Sequence, residues 1–534
     1  MLHLGDGTTE SRNWKSRCPD MAPAASSASA AQEAPRGCSG CAANKGGVFL
    51  ITFFSYVMFH ASRKSFSAIK GEMSSEQWIH SRVYSEDQQA EMYGLLDTLF
   101  MAFYAVGLYI SGVLGDKYDL RKMIAGGMWA TAGVVLMFGL GAFADIHALS
   151  FYATLWGLNG LIQSSGWPSN VAVMGKWFNQ RERGAVLGIW SGNACFGNIV
   201  GTALVAAMFY CFDRAVAWKI ALVLSAGLVA LYGMIVHFFL VADPKHALYH
   251  HTSLEDAKPD KAAVKMSPKN ESSTESEDSG SLHESEMAKV DEPTSPRIRT
   301  FGVIIYSGLI ALDMNAQVFP YAMAYACLKS VNYALFFWIP FYLTMSLKMD
   351  NTTASLVSML YDFGQILGGF VGGYVSDKMG VRSPVVVVML LFSCFTLYCL
   401  EGASYTVTMV LLFASGFILG GPANLISTAI SADLGTHESI RGDAAALSTV
   451  TGIIDGTGSI GAALVQYLVG YLADCHKEPK GCDRKDPDCI EVCSWGPVFI
   501  LLEAGTILAC VCLTRLLYHE ILVIRNRRLA SHNT

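Results

Sequence analysis

The chain has 534 residues, 52% of them apolar, a mean hydropathy of +0.36 and a net charge of −6. Soluble domains run at about 45–50% apolar, so a membrane protein is expected, although two long polar stretches dilute the figure. The acids gather in a central linker, and no basic run is interleaved with aromatics, which argues against a nucleic-acid partner.

Residues 1–46 are rich in Ala, Ser and Pro and lack the basic-then-apolar pattern of a cleaved signal. They read as a disordered cytosolic N-terminal tail, in which Cys38 and Cys41 are free thiols, acylation sites or metal ligands with partners elsewhere. Apolar windows of about 20 residues, each long enough to cross about 30 Å of hydrocarbon, follow near 47–69, 90–114, 122–143, 150–174, 184–209 and 217–240. Six more follow near 320–345, 354–375, 384–401, 405–430, 444–472 and 495–518. The apolar piece 301–312 reads as an interfacial lead-in to the seventh, with a thirteenth crossing as the alternative. Lipid offers the backbone no hydrogen-bond partners, so the spans are helices. The fold class is therefore an all-α membrane protein with 12 transmembrane helices in two pseudo-symmetric six-helix bundles. The bundles occupy 47–240 and 301–519. Between them lies a disordered cytosolic linker, 241–300, whose Ser267-Pro268 and Ser295-Pro296 are candidate phosphorylation sites. Residues 520–534 form a cytosolic C-terminal tail.

The two halves repeat one another. GVLGDKYDLRK after the second span matches GYVSDKMGVR after the eighth, so that Gly112, Asp116, Lys117 and Arg121 map at constant offset onto Gly373, Asp377, Lys378 and Arg382. Gly188, Gly192 and Gly197 match Gly452, Gly456 and Gly461, and Pro168-Ser169-Asn170 matches Pro422-Ala423-Asn424. Glycines at this spacing let helices pack closely and rock. Gly456 to Gly461 also fits a dinucleotide fingerprint, but it lies within a membrane helix and follows no strand. There is no Walker motif, and no cofactor is expected.

Positive charge sets the sidedness. Lys117, Arg121, Lys122, Lys176, Arg181, Arg183, Lys378, Arg382, Arg525, Arg527 and Arg528 all fall on one side if both termini are cytosolic. The first loop is acidic by contrast, with Glu72, Glu76, Glu86 and Asp87. On the opposite side lie a glycosylation sequon at Asn351 and a loop, 473–494, with Cys475, Cys482, Cys489 and Cys493. These cysteines read as disulfide candidates of undecided pairing, with a zinc site as the rival. A second sequon, at Asn270, would be silent in the cytosol.

Arg63, Lys64, Asp97, Lys329, Asp362 and Asp455 sit inside spans. Each costs roughly 2.5–3.5 kcal/mol at the bilayer centre by insertion scales, so they must face water, pair, or lie near an interface. Arg63 and Lys64 follow His60 and Ser62 on a polar face of span one, and Lys329 opens the polar face Lys329–Asn332 of span seven, its counterpart. Cations converging from these helices would bind an anion, and a guanidinium fits phosphate through paired hydrogen bonds. Asp97 and Asp362 balance the cations, carry protons, or form purely structural pairs; Trp167, Trp190 and Trp338 line the pathway, pack, or anchor at the interface.

GLIQSSGWPSNVAVMGKWFNQRERGAVLGIWSGNACFGNIVG (160–201) resembles the signature of organophosphate:phosphate antiporters, and the paired Gly-Asp-Lys-Arg loops resemble the loop motif of the major facilitator superfamily. FFSYVMFHASRKSFSAIK (53–70), YACLKSVNYALFFWIPFYL (325–343) and ISADLGTHESIRGDAAALSTVTGIIDGTGSIGAA (430–463) narrow the resemblance to the sugar-phosphate exchangers. It covers about 47–240 and 300–520. What it implies is a major-facilitator fold, not an enzyme, that exchanges an organic phosphate for inorganic phosphate by alternating access. The Arg-Lys pair of that family falls on Arg63-Lys64, and the span-seven arginine of related bacterial antiporters falls on Asn332, one turn from Lys329. The span-five histidine of those bacterial antiporters falls on Ala194 beside Asn193. The expected site is Arg63, Lys64, Lys329, Asn332, Trp167, Asn193 and Asp362, with cytosolic latches of Gly112, Asp116 and Arg121 and of Gly373, Asp377 and Arg382. The expected partners are a small phosphorylated anion, inorganic phosphate, the bilayer and an accessory membrane protein, in the endoplasmic reticulum or lysosome. The rivals are an exporter of another phosphorylated or phosphonate anion, a proton-coupled carrier, a non-transporting scaffold or sensor, and a membrane enzyme, for which no nucleophile with an adjacent base is found.

Overall fold

A computed structural model describes residues 44–85, 88–115, 117–178, 186–244, 318–430, 446–478 and 490–532. The N-terminal tail with Cys38 and Cys41, the linker with Ser267, Asn270 and Ser295, and the piece 301–312 lie outside the described residues. So do Glu86, Asp87, Asp116, Arg181, Arg183, Cys482 and Cys489.

The first half comprises α1 (Lys45–Ser75), α2 (Gln89–Gly115), α3 (Leu120–Phe143), α4 (Leu149–Gln163), α5 (Gly166–Trp177), α6 (Asn193–Cys211) and α7 (Arg214–Phe239). The second comprises α8 (Val318–Met345), α9 (Asn351–Met379), α10 (Ser383–Leu400), α11 (Tyr405–Asn424), α12 (Ala446–Leu472) and α13 (Gly496–His532). Among the described residues twelve crossings result, with α4 and α5 together making the fourth. Ends fall where local chemistry sets them. Asn44 caps α1 by accepting the Gly47 amide at 2.7 Å, and Gly380, left-handed at φ 64°, closes α9. Among the described residues ten helices are long and apolar enough to span a membrane; α1, with its polar second half, and the broken fourth crossing are the other two. Pro168 explains the break. Its ring offers no N–H to the carbonyl of Ser164 four residues back, and that carbonyl instead accepts Ser111 Oγ of α2 at 3.0 Å. The tenth crossing behaves alike: beyond Pro422 it loosens into a π-helix, Leu425–Ile430.

The repeat is visible in the packing. α1 lies on α6 as α8 lies on α12; α2 packs on α4 as α9 packs on α11; and α3 pairs with α7 as α10 pairs with α13. The halves meet where α2 lies along α12, α6 along α9 and α1 along α8. The repeated glycines serve these seams unequally. A side chain at Gly452 would meet the Leu108 carbonyl at 2.8 Å, and one at Gly461 the Ala326 carbonyl at 2.8 Å, whereas Gly188 faces open space. The outside of the bundle is apolar, with Val388, Leu391, Phe392 and Phe395 of α10 all more than half exposed. Lipid covers such a surface, and the polar residues turn inward.

Among the described residues the one departure from all-α structure is an antiparallel ladder of β1 (Asp474–Glu478) and β2 (Ile490–Ser494), which sets Cys475 opposite Cys493. Below, the near face is the end where α1 and α8 begin, and the far face is the end where they turn into α2 and α9.

Candidate functional site

Helix α1 carries His60, Arg63, Lys64 and Lys70, all buried. Arg63 is fully enclosed. Its Nε donates to Gln163 Oε1 of α4, and its guanidinium lies 4.6 Å from the ring centre of Tyr104 on α2 and 5.4 Å from that of Phe100. Nη1 and Nη2 make no well-formed hydrogen bond, with the hydroxyls of Tyr104 and Tyr333 close by, so four of the five donors of an arginine are buried and poorly used. An unsatisfied buried polar group costs about 1–3 kcal/mol, and more when charged. Such an edge has the chemistry to take an acceptor from outside the chain.

Lys329 of α8 comes to the same tyrosine. Its ammonium is 5.5 Å from the Tyr104 ring centre and 5.2 Å from that of Tyr333. Two cations from pseudo-equivalent helices thus share one ring. Their states differ, however. Lys329 donates to Asp455 Oδ1 at 2.6 Å, to the Asp455 carbonyl at 3.2 Å and to Ser459 Oγ at 2.7 Å, all on α12. The three donors of an ammonium are thereby occupied, whereas most of those of Arg63 are poorly used.

The third expected cation departs from expectation. Lys64 donates to the carbonyl of Phe336 on α8 at 2.7 Å and lies 4.8 Å from that residue's ring centre. Its donor is committed to the opposite half's backbone, about 100° around α1 from Arg63.

Beside the cations runs a polar chain. His60 Nδ1 donates to Asn198 Oδ1 at 3.0 Å, and Asn198 Nδ2 donates to Asp362 Oδ1 of α9 at 2.6 Å, while Asp362 Oδ2 has no partner. The His60 ring is 4.9 Å from that of Tyr56, whose hydroxyl lies 3.4 Å from the Tyr104 hydroxyl. Asn332 accepts from Tyr361 Oη at 3.0 Å and from Gln365 Nε2 at 2.5 Å, and Gln365 in turn accepts from Cys195 Sγ at 3.0 Å. Asn193 is fully buried with neither amide atom paired. Trp167 stacks on Trp190 at 5.3 Å and lies tilted against Tyr56 at 4.8 Å. The interior therefore has a cationic pole on Tyr104 and an amide-and-carboxylate pole on α6 and α9.

Asp97 balances neither Arg63 nor Lys329. It pairs with buried Lys70, whose ammonium sits 4.7 Å from the Trp338 ring centre, and the two charges cancel within the first half. The expected glycan at Asn351 does not fit. That residue is 6% exposed, is the first of α9, and gives its amide to Glu72 of α1, also 6% exposed. At the near face Arg121 lies 3.8 Å from Asp119 and Arg382 lies 3.8 Å from Asp377; both pairs are partly exposed and contribute little. Gly112 and Gly373 stand at the helix ends beside these turns. The second turn is fixed chiefly by Glu520 of α13, which accepts the backbone N–H groups of Arg382 (3.0 Å) and Ser383 (2.8 Å).

A model of the Major Facilitator Superfamily matches residues 48–438 and 321–529. Sugar phosphate exchanger 3 of Bos taurus is 38% identical over 447 residues, which cover 80% of this chain and 87% of the relative. The chain belongs to the sugar-phosphate exchangers of the major facilitator superfamily. Glucose-6-phosphate exchanger SLC37A2 of Xenopus tropicalis is 34% identical over 89% of this chain and 93% of its own length. Among solved structures, a D-xylose-proton symporter superposes with a TM-score of 0.58 at 11% identity, covering 87% of this chain and 96% of that one. A bacterial homolog of the human lysosomal transporter Spinster covers 92% and 98% with a TM-score of 0.56 at 12% identity; at such identities the likeness shows the fold alone. This family is one of multi-pass membrane transporters, not of enzymes.

Sequence reasoning missed Tyr104, Gln163, Asn198, Ser459 and Lys70. A tyrosine or a glutamine in a membrane helix has no spacing that marks it as a cation's seat. Asp455 was noticed as a charge, but its partner on α8 is visible only in three dimensions.

Proposed function

We propose that this exchanger moves an organic phosphate against inorganic phosphate across an intracellular membrane by alternating access of its two halves. The observation that carries this reading is the shared Tyr104 ring, with Arg63 presenting poorly used donors beside it. The phosphoryl group takes the forked edge of Arg63 and draws on Lys329, which loosens from Asp455. The names of the relatives, sugar phosphate exchanger 3 and glucose-6-phosphate exchanger, support this cargo. The organic part lies toward Asp362, Asn193 and Asn332, beside Trp167, where an unpaired carboxylate oxygen and amide groups suit hydroxyls.

The near face is cytosolic and the far face luminal, a reading supported by Lys117, Lys122, Lys176, Lys378 and Arg527 at the near-face helix ends. The membrane is that of the endoplasmic reticulum or lysosome. The four loop cysteines, Cys475, Cys482, Cys489 and Cys493, are luminal disulfide candidates, and the backbone register sets Cys475 opposite Cys493. The turns at Asp116/Arg121 and Asp377/Arg382 serve as cytosolic latches, and an accessory membrane protein is compatible with the long polar linker.

Purified protein in liposomes loaded with phosphate should take up labelled phosphate only against internal phosphate. Uptake driven by a pH gradient into phosphate-free liposomes would make it a proton-coupled carrier instead, and no uptake at all would leave a scaffold. The two poles also separate cargo. Asp362→Asn is expected to raise the half-saturation constant for glucose 6-phosphate by about tenfold, the discrimination lost with one good hydrogen bond to a charged group, while that for inorganic phosphate changes less than threefold. Competition against labelled phosphate uptake measures both.

A further inference from the structure

Pro340 lies inside α8. Lacking an N–H, it leaves the carbonyl four residues back, that of Phe336, without a donor from its own helix. In lipid such a group must find another partner. Two side chains of α1 supply it: Lys64 Nζ at 2.7 Å and Ser67 Oγ at 3.0 Å. Ser67 Oγ also reaches the Phe337 carbonyl at 2.9 Å. Pro168 is a comparison within the same molecule. Its freed carbonyl, on Ser164, is taken by Ser111 of its own half, a bond that rocking of the halves leaves alone. The bond at Phe336 crosses from one half to the other. Eight residues past Lys64, or about 12 Å further along α1, Glu72 holds Asn351, a second contact between the halves on the same side of the site.

We infer that Lys64 is a positioning residue of the far-face closure and not a ligand of the transported anion. Its acceptor is the carbonyl that Pro340 sets free. Opening the far face separates α1 from α8 and withdraws Phe336 from Lys64, which also feels the carboxylate of Asp362 on α9. Lys64 thus reports to α8 whether the far face is shut, while its neighbour Arg63 holds the cargo. The inference rests on the exchange proposed above, because that exchange is what the closure controls.

The test compares wild type, Lys64→Met and Pro340→Ala in liposomes of one orientation, with inorganic phosphate as the probe. Loss of a charge-assisted hydrogen bond that exists only in the far-closed state shifts that equilibrium by about tenfold. Lys64→Met should therefore raise the ratio of the near-face to the far-face half-saturation constant by about tenfold. Pro340→Ala returns an N–H to the Phe336 carbonyl and should move the ratio in the same direction by a smaller factor, in a protein whose charges are untouched. A second readout does not depend on transport. Ser355 is buried one turn inside Asn351 on α9, and Ser355→Cys should react with a membrane-impermeant thiol reagent from the far side several-fold faster when Lys64→Met is added. Both half-saturation constants rising together in Lys64→Met would make Lys64 a cargo ligand and overturn the inference, as would an unchanged ratio with unchanged labelling. Absence of phosphate exchange in the wild type would overturn the functional reading, and the labelling comparison would still decide the closure.

Discussion

Arg63→Ala is expected to abolish phosphate exchange, with a fall of at least about a hundredfold in initial rate at subsaturating phosphate, in a protein that still folds. The forked, charge-assisted contact of a guanidinium with a phosphoryl group is among the stronger polar contacts available, and truncating one partner of such a buried pair costs about 2–5 kcal/mol. Folding is spared because the substitution removes a buried charge whose terminal donors make no well-formed hydrogen bond. Arg63→Lys keeps the charge, loses the planar fork and the Gln163 contact, and should retain a tenth or less of the rate. Counterflow of labelled phosphate, with monodispersity and thermal unfolding as controls, measures this. An Arg63→Ala protein that exchanges like wild type would remove the guanidinium from the site.

The second large effect concerns Asp455, which holds Lys329 when no anion is bound. Asp455→Asn leaves an ammonium 3% exposed with no carboxylate beside it. An uncompensated buried charge destabilises a fold by about 3–5 kcal/mol, and a bound phosphate would restore the balance. The variant should therefore unfold at lower temperature than wild type without phosphate and gain more from saturating phosphate than wild type does. Its half-saturation constant should fall about tenfold, and its maximal exchange rate should fall too, because the anion leaves a site that has no internal substitute for it. Thermal unfolding with and without phosphate, alongside exchange kinetics, measures both. Equal stabilisation of the two proteins by phosphate would show that Lys329 does not bear on the anion.

The crossings were legible because a bilayer demands long apolar helices, and their observed ends fall close to the expected ones. The twelfth runs on to His532, past the 518 at which its apolar window stops, because the basic residues of its last turns remain good helix formers. The break at Ser164 was latent in Pro168, as the π-helix was in Pro422, but a proline in a membrane helix announces only that one carbonyl is released, not who collects it. The same gap explains Lys64 and Asn351. Each looked functional from its own motif, and each turned out to be claimed by a residue of the other half. Charge count was readable, whereas charge pairing was not: Lys70 with Asp97 joins the consecutive helices α1 and α2, and Lys329 with Asp455 joins α8 to the distant α12.

Tyr104 belongs to the first half, as Arg63 does, while Lys329 belongs to the second. When the halves tilt, the guanidinium keeps its seat on the aromatic face and the ammonium is carried away from it. A cargo held on Arg63, as proposed above, would ride as a passenger of the first half, with the second as a moving wall that visits and departs.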